Sequence, residues 1–488
     1  NIEKMEKNNM KRASTLPSEC TTIIVGDQMS NDSSHFLCRS SDFDAMMAIN
    51  YEFHEDTTDG PSEFVAKDSE FRCPLPKTAL GYTALPDYQF PGEWGSAGFN
   101  SVGVGMSSTE TIFSSNKALE FDPYVKNGLA ENCTYNIVLP YVRTAREGVE
   151  RLGKLIEEYG SAEGFGIGFI DDKETWYLEN ACGHHWLACK MPRDKYFVTG
   201  NQSRLRDYDP NDKENYLASE GLISFAEKNG LYDPKQGKFD FHEAYSHDCK
   251  DADRDDFTYN YTRVWGIQKL LSPSIKNDVA RNTFPVFAKA DKEISLQTLR
   301  NAFRFHYDGT AHDPYLHNNG KEPYRPVSIF RTTQTHIIQV RPNLPQAIGH
   351  ITYVALGMAD LGVFLPLYQG VKHVPEAYTR GRNTADHESA YWKFRKVMTL
   401  GMVNYNAYAP IIKDRYAQLE IENDRLQHDF ETQYLVIYKD NPQRANTMLQ
   451  QFSDHLLHRA LDVADQLLND LFTQMTLDTQ KEYLFHGA

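Results

Sequence analysis

Apolar residues follow two patterns along this chain. Up to about residue 375 they come in short β-branched or aromatic runs broken by polar turns; beyond it they recur at helical spacing. The first run, Thr21 to Val25, stands directly after Cys20 and is ended by Gly26 and Asp27, the composition of a strand. Residues 29–34 make a turn, and a second run, His35 to Asp42, leads back. In such a hairpin the end of the second strand lies beside the start of the first, so Arg39 and Asp42 come next to Cys20. A loop-rich, acidic stretch over 45–95, with Pro61, Pro74, Pro76, Pro86 and Pro91, leads to a short strand ending in Ser107-Ser108-Thr109-Glu110. Thr144 and Glu147 form a capping box for a helix to Tyr159, whose Ala145, Val149, Leu152 and Ile156 share one face. Strands over 166–170, 175–180, 185–190 and 196–199, joined by short loops, predict an antiparallel sheet. Helices are expected over 218–229 and 292–308, and further strands over 333–340 and 351–356. From 376 to 474 the pattern is helical, with Asn441-Pro442 reading as an N-cap and first turn. Strands, one capped helix and a helical tail together make an α+β chain.

Composition narrows the function. With 40% hydrophobic and 24% charged residues the chain has the make-up of a soluble protein, and its net charge of −16 argues against nucleic acid or an anionic membrane as partner. No run reaches transmembrane length, and residues 1–19, though they carry Lys4, Lys7, Lys11 and Arg12, lack the apolar core of a secretory signal. A cytoplasmic location is expected. The seven cysteines are odd in number and show no C-x-x-C spacing, which points to reduced thiols and neither a disulfide framework nor zinc. His184 and His185 adjoin on a strand and so point to opposite faces, a poor chelate for one ion. No metal is expected, and with no P-loop and no dinucleotide fingerprint, no cofactor. Arg263 is a lone charge in Tyr261-Thr262-Arg263-Val264-Trp265 and needs a partner.

Several phrases resemble one family. Cys20-Thr21-Thr22 before an apolar strand, then Arg39-x-x-Asp42, is similar to the start of the bacterial cysteine dipeptidases of the dipeptidase A type, within the N-terminal-nucleophile hydrolases and related to bile-salt hydrolase and penicillin V acylase. Gly98-Phe99-Asn100 with Ser107 to Glu110, Trp176 to Asn180 with Gly183-His184-His185-Trp186, Gly200-Asn201-Gln202, and the segment over 331–356 continue the likeness across roughly 20–420. The resemblance implies a four-layer αββα sandwich with a helical C-terminal region: a leader over 1–19, a catalytic part over 20–375, and a helical part over 376–488 on the same core. It implies short peptides as substrates, with a non-peptide amide, or a non-catalytic protein of the same fold, as the alternatives, and leaves homo-oligomerisation open.

The resemblance also assigns roles. Cys20 would be the nucleophile and its own α-amine the general base, which requires Cys20 to become the first residue. An α-amine titrates at ~7.7–8.0, near the thiol's ~8.5. Asn201 would donate to the oxyanion, Arg39 would favour the thiolate, Asp42 would hold the α-ammonium, and Arg263 would stabilise the site or hold a substrate carboxylate. Ser107 or Ser108 would line the substrate site. The chain departs from the pattern in carrying nineteen residues before the cysteine, where many relatives carry one or two.

Overall fold

A computed structural model of the chain describes residues 19–249, 255–315 and 323–485. Of the expected leader only Glu19 falls within them; residues 1–18 lie outside the described residues.

Strands β1 (Glu19–Val25) and β2 (His35–Asp42) form the anticipated hairpin at the centre of a seven-stranded sheet. Every residue of β1 is buried, so its apolar run is continuous instead of alternating, as it is for a strand covered on both faces. Its far side pairs with β12 (Tyr196–Thr199), and β15 (Thr332–Val340), β16 (His350–Leu356) and β17 (Leu365–Tyr368) continue the sheet beyond β2, all antiparallel. A six-stranded antiparallel sheet is built around β8 (Gly105–Ile112), β9 (Gly164–Ile170), β10 (Thr175–Ala181) and β11 (His185–Lys190). Residues 196–199, expected to continue that sheet, instead join the first one. The chain crosses over at residues 192–195, where Gly26 N and Gln28 N donate to the carbonyls of Lys195 and Arg193 at 2.9 and 2.8 Å. A side chain at Gly26 would put Cβ 2.3 Å from the Arg193 carbonyl oxygen, so glycine is required for this crossing.

The two sheets face one another. Gly168 of β9 lies against Leu37 of β2, while the outer face of the second sheet meets helix Ala145–Tyr159, where Gly153 makes room for Trp186. Trp186 Nε1 donates to Glu157 of that helix at 2.9 Å. The outer face of the first sheet meets the C-terminal helices, Gln427 donating to the Tyr353 hydroxyl at 3.2 Å. Helices Ala390–Val403, Tyr405–Asp440 and Pro442–Glu482 make up this layer. Asn441 accepts from Arg444 N at 3.0 Å as the expected N-cap.

Local differences from the sequence reading have local causes. Ala218 ends a short strand paired with β11, and the helix starts only at Leu222, after Gly221 in the left-handed region at φ 72°. The helix expected over 292–308 is confined to Leu296–Arg304, capped by the Ser295 hydroxyl. β8 runs on to Ile112, which places Ser107 and Ser108 inside a strand. The 45–95 stretch carries four three-residue strands paired as two ribbons. Helix α-type structure in the tail begins at Ala390, past a single 3₁₀ turn at Glu376–Thr379.

Candidate active site

Strand register brings Cys20 and Arg39 together. Cys20 stands opposite Ser41 and Thr22 opposite Arg39; cross-strand partners share a face and neighbours alternate, so residues 20, 22, 39 and 41 point the same way. Arg39 Nε and Nη2 donate to Cys20 Sγ at 3.0 and 2.8 Å. Arg39 Nη1 donates to the Ser108 carbonyl, and Nη2 lies 3.6 Å from Glu131 Oε1. All of these groups are buried. A guanidinium gripped on three sides is fixed over the sulfur, and a buried positive charge there favours thiolate over thiol.

Asn201 and Arg263 close the site from the β12 side. Arg263 sits on the first turn of helix Thr262–Leu271, behind a π-helical turn at Phe257–Tyr261. Its Nη1 donates to the Cys20 carbonyl at 2.5 Å and to Thr21 Oγ1 at 3.0 Å, and its Nη2 to Oδ1 of Asn201 and of Asn260 at 2.8 and 2.6 Å. These are the partners the lone arginine needed. Asn201 Oδ1 also accepts from the Cys20 backbone nitrogen at 3.2 Å. Two donors aimed at one atom identify it as the oxygen. The amide nitrogen Nδ2 therefore points away, buried and without a hydrogen-bond partner among the described residues. A buried donor with nothing to donate to, one residue pair from a thiol, is suited to charge that develops on a neighbouring oxygen.

Asp42 lies on the other face. Register sets it opposite Glu19, and its carboxylate accepts from Arg325 Nη2 and Thr332 Oγ1, both at 2.6 Å. The expected contact with the Cys20 nitrogen is not made: that nitrogen is an amide and donates to Asn201 Oδ1. The Glu19 carboxylate is itself held by Arg331 and lies 3.7 Å from Arg325. Of the two serines, Ser108 lines a cavity of about 40 Å³ beside Arg39. Ser107 Oγ bonds His336 Nε2 at 2.8 Å. His336 Nδ1 faces Gln334 Oε1 at 3.1 Å and so carries the ring proton. Burial, and then the charge of Arg39, push the His336 pKa well below the usual range. A neutral, fully engaged imidazole inside β15 serves the sheet. His184 and His185 have separate partners, Asp122 and Ser219, at 2.7 and 2.9 Å.

Glu131, Asn260, Arg325 and Arg331 escaped the sequence reading. The two arginines had the same signal as Arg263, a charge in an aromatic run: Tyr324-Arg325-Pro326 and Phe330-Arg331-Thr332. Asn260 is three residues before Arg263, one helical turn away. Glu131 had no local signal; only the fold brings it to Arg39.

A family model, peptidase family C69, matches residues 19–418. The chain belongs to peptidase family C69. A probable dipeptidase of Salmonella dublin is 49% identical over 365 residues, covering 74% of this chain and 83% of that protein. A probable dipeptidase A of Streptococcus pyogenes is 32% identical over 470 residues, covering 93% of this chain and 99% of its own. A solved structure of a variant conjugated bile acid hydrolase from Clostridium perfringens aligns at 13% identity and a TM-score of 0.27, covering 69% of this chain and 89% of that one. In this C69 chain the family match begins one residue before the buried thiol, and among the described residues no helix is long and apolar enough to cross a membrane.

Proposed function

We propose that this chain is a cysteine dipeptidase that hydrolyses short peptides through a thioester on Cys20, with the α-amine of Cys20 as general base. The observation that carries the reading is the double contact of Arg39 on the Cys20 sulfur, at 3.0 and 2.8 Å, inside a wholly buried site. Membership of C69 and the dipeptidase relatives supply the substrate class.

In this mechanism the α-amine takes the thiol proton and the sulfur attacks the peptide carbonyl. Asn201 Nδ2 donates to the oxyanion as it forms. The α-ammonium returns its proton to the departing amine, leaving a thioester. Water, deprotonated by the same amine, attacks the thioester and restores the thiol. Arg263 holds Asn201 and the Cys20 carbonyl in place, and Asp42 accepts the new ammonium once Glu19, its strand partner, has left.

The amide nitrogen between Glu19 and Cys20 has no basic lone pair, so residues 1–19 must be removed first. The proposed route is intramolecular. The Cys20 sulfur attacks the Glu19 carbonyl, the acyl group shifts from nitrogen to sulfur, and water hydrolyses the thioester to release the leader and a free amine. The deciding experiment is the intact mass of purified protein alongside its dipeptide turnover. Active protein beginning at Cys20 is expected; full turnover by protein that retains residues 1–19 would overturn the mechanism.

A further inference from the structure

The cavity beside Arg39 holds a carboxylate that the proposed chemistry does not use. Asp87 is 3% exposed. Its Oδ1 accepts from the Gln89 backbone at 2.7 Å, while Oδ2 is buried with no hydrogen-bond partner among the described residues. Arg39, Ser108 and Glu131 line the same cavity. Arg39, the cation among them, is directed at the Cys20 sulfur, the Ser108 carbonyl and Glu131. Burial, opposed only in part by the Gln89 bond and reinforced by Asp44, pushes the Asp87 carboxyl up to about 7. A buried carboxylate oxygen with no partner is costly unless a cation comes to it.

A free dipeptide brings such a cation. Its α-ammonium is two bonds from the carbonyl carbon that the thiol attacks, so the ammonium must be seated in the space that adjoins Cys20. The cavity that Asp87 lines is walled by Arg39, which donates to the Cys20 sulfur, and by Ser41, the strand partner of Cys20, and so borders that space. At about 40 Å³ it admits a water-sized group such as an ammonium, each water needing ~10–15 Å³. Met47, Ile49 and Trp94 form its apolar side and suit the first side chain of the peptide. Resting on the dipeptidase reading above, we infer that Asp87 is the residue that binds the free α-ammonium of the substrate, and that it makes the enzyme select unblocked peptides with an apolar first residue.

The test compares leucyl-alanine with its N-acetyl derivative in wild type and Asp87→Asn, after mass spectrometry shows that both proteins begin at Cys20. Wild type should strongly prefer the free dipeptide. Asp87→Asn should raise KM for it by roughly 10- to 100-fold, the loss of one charge-assisted contact, and leave the acetylated peptide within about threefold. The thermal midpoint should hold or rise, because asparagine keeps the Gln89 bond and removes an uncompensated charge; if the variant does not fold, Asp87→Ser carries the same comparison. An equal loss on both substrates, an unchanged preference, or a wild type indifferent to acetylation would overturn the assignment. A correctly processed wild type that cleaves no dipeptide would instead overturn the dipeptidase reading on which it rests.

Discussion

Replacing Asn201 by alanine should lower kcat by roughly 10²–10³ with little change in KM, the size expected for one buried oxyanion donor and equal to about 2.7–4 kcal/mol. The structure divides the residue into two functions. Oδ1 organises the site by accepting from Cys20 N and Arg263 Nη2 at 3.2 and 2.8 Å, whereas Nδ2 has no structural bond to lose. Losing Oδ1 is tolerable for the fold, since Arg263 Nη2 keeps Asn260 Oδ1 at 2.6 Å; a net cost of about 1 kcal/mol in stability is expected. Asn201→Asp separates the two functions. It keeps the oxygen that faces Arg263 and exchanges the donor for an acceptor, so it should fold as well as wild type and be at least as slow as the alanine variant. Both are assayed on a free dipeptide with protein whose first residue is Cys20, produced by cleaving a fused tag so that impaired self-processing does not enter the comparison. A change confined to KM, or an Asn201→Asp enzyme within about threefold of wild-type kcat, would refute the oxyanion assignment.

Other expectations follow from the same geometry. Cys20→Ala should abolish turnover and retain residues 1–19, read by intact mass; leader loss at the wild-type rate would mean that another protease trims the chain. Cys20 is fully buried beside Glu19, so iodoacetamide should modify it slowly before leader release and rapidly afterwards, with activity lost in proportion and EDTA without effect; loss with EDTA that zinc restores would point to a metal hydrolase. Glu19→Ala removes the carboxylate gripped by Arg331 and should slow leader release about tenfold, for ~1.4 kcal/mol of lost positioning; an unchanged rate on a gel time course would deny Glu19 that role. His350 is held neutral, its pKa lowered by burial from 6.5 to about 4. The unfolded chain alone takes up that proton, so stability is lost as pH falls below 6.5. Between pH 6.5 and 5 the loss from this group is about 2 kcal/mol, and His350→Gln should flatten the fall in thermal midpoint by a matching amount; parallel curves would show that His350 does not contribute.

The central hairpin was legible because its signals are local: a β-branched run, a turn, and a return long enough to carry Arg39 back past Cys20. The capped helix from Ala145 and the Asn441 cap were legible for the same reason. What local pattern does not encode is which sheet a strand joins. Residues 196–199 look the same whether they extend the β9–β11 meander or cross to β1, and the crossing depends on Gly26 admitting the carbonyls of Pro192 and Arg193 at close range. That crossing is what sets Asn201 beside Cys20. Arg263 stood out in the sequence because its charge conflicts with its surroundings, whereas Cys20, Arg39, Asp42 and Asn201 came from the hairpin and the resemblance. Glu131, at the start of helix Glu131–Val138, and Asp87, in the loop after Pro86, become unusual only when the fold buries them.

Charge connects the proposed release of the leader with the proposed role of the Cys20 amine. With the chain intact, Arg325 and Arg331 face two carboxylates, those of Glu19 and Asp42. In the proposed maturation Glu19 leaves and takes one negative charge away, and an amine appears at Cys20. Arg39 and Arg263 already flank that residue on the sulfur and the carbonyl. The flanking cations disfavour an ammonium at Cys20, while the carboxylates of Asp42 and of Glu131, which lies against Arg39, favour it. The proposed mechanism requires an amine that is unprotonated near neutral pH and can hold a proton briefly when the thiol gives one up, as a general base does. In the proposed maturation Arg325 and Arg331 thus lose Glu19 as a partner, while Arg39 and Arg263 already stand at the residue that would become the base.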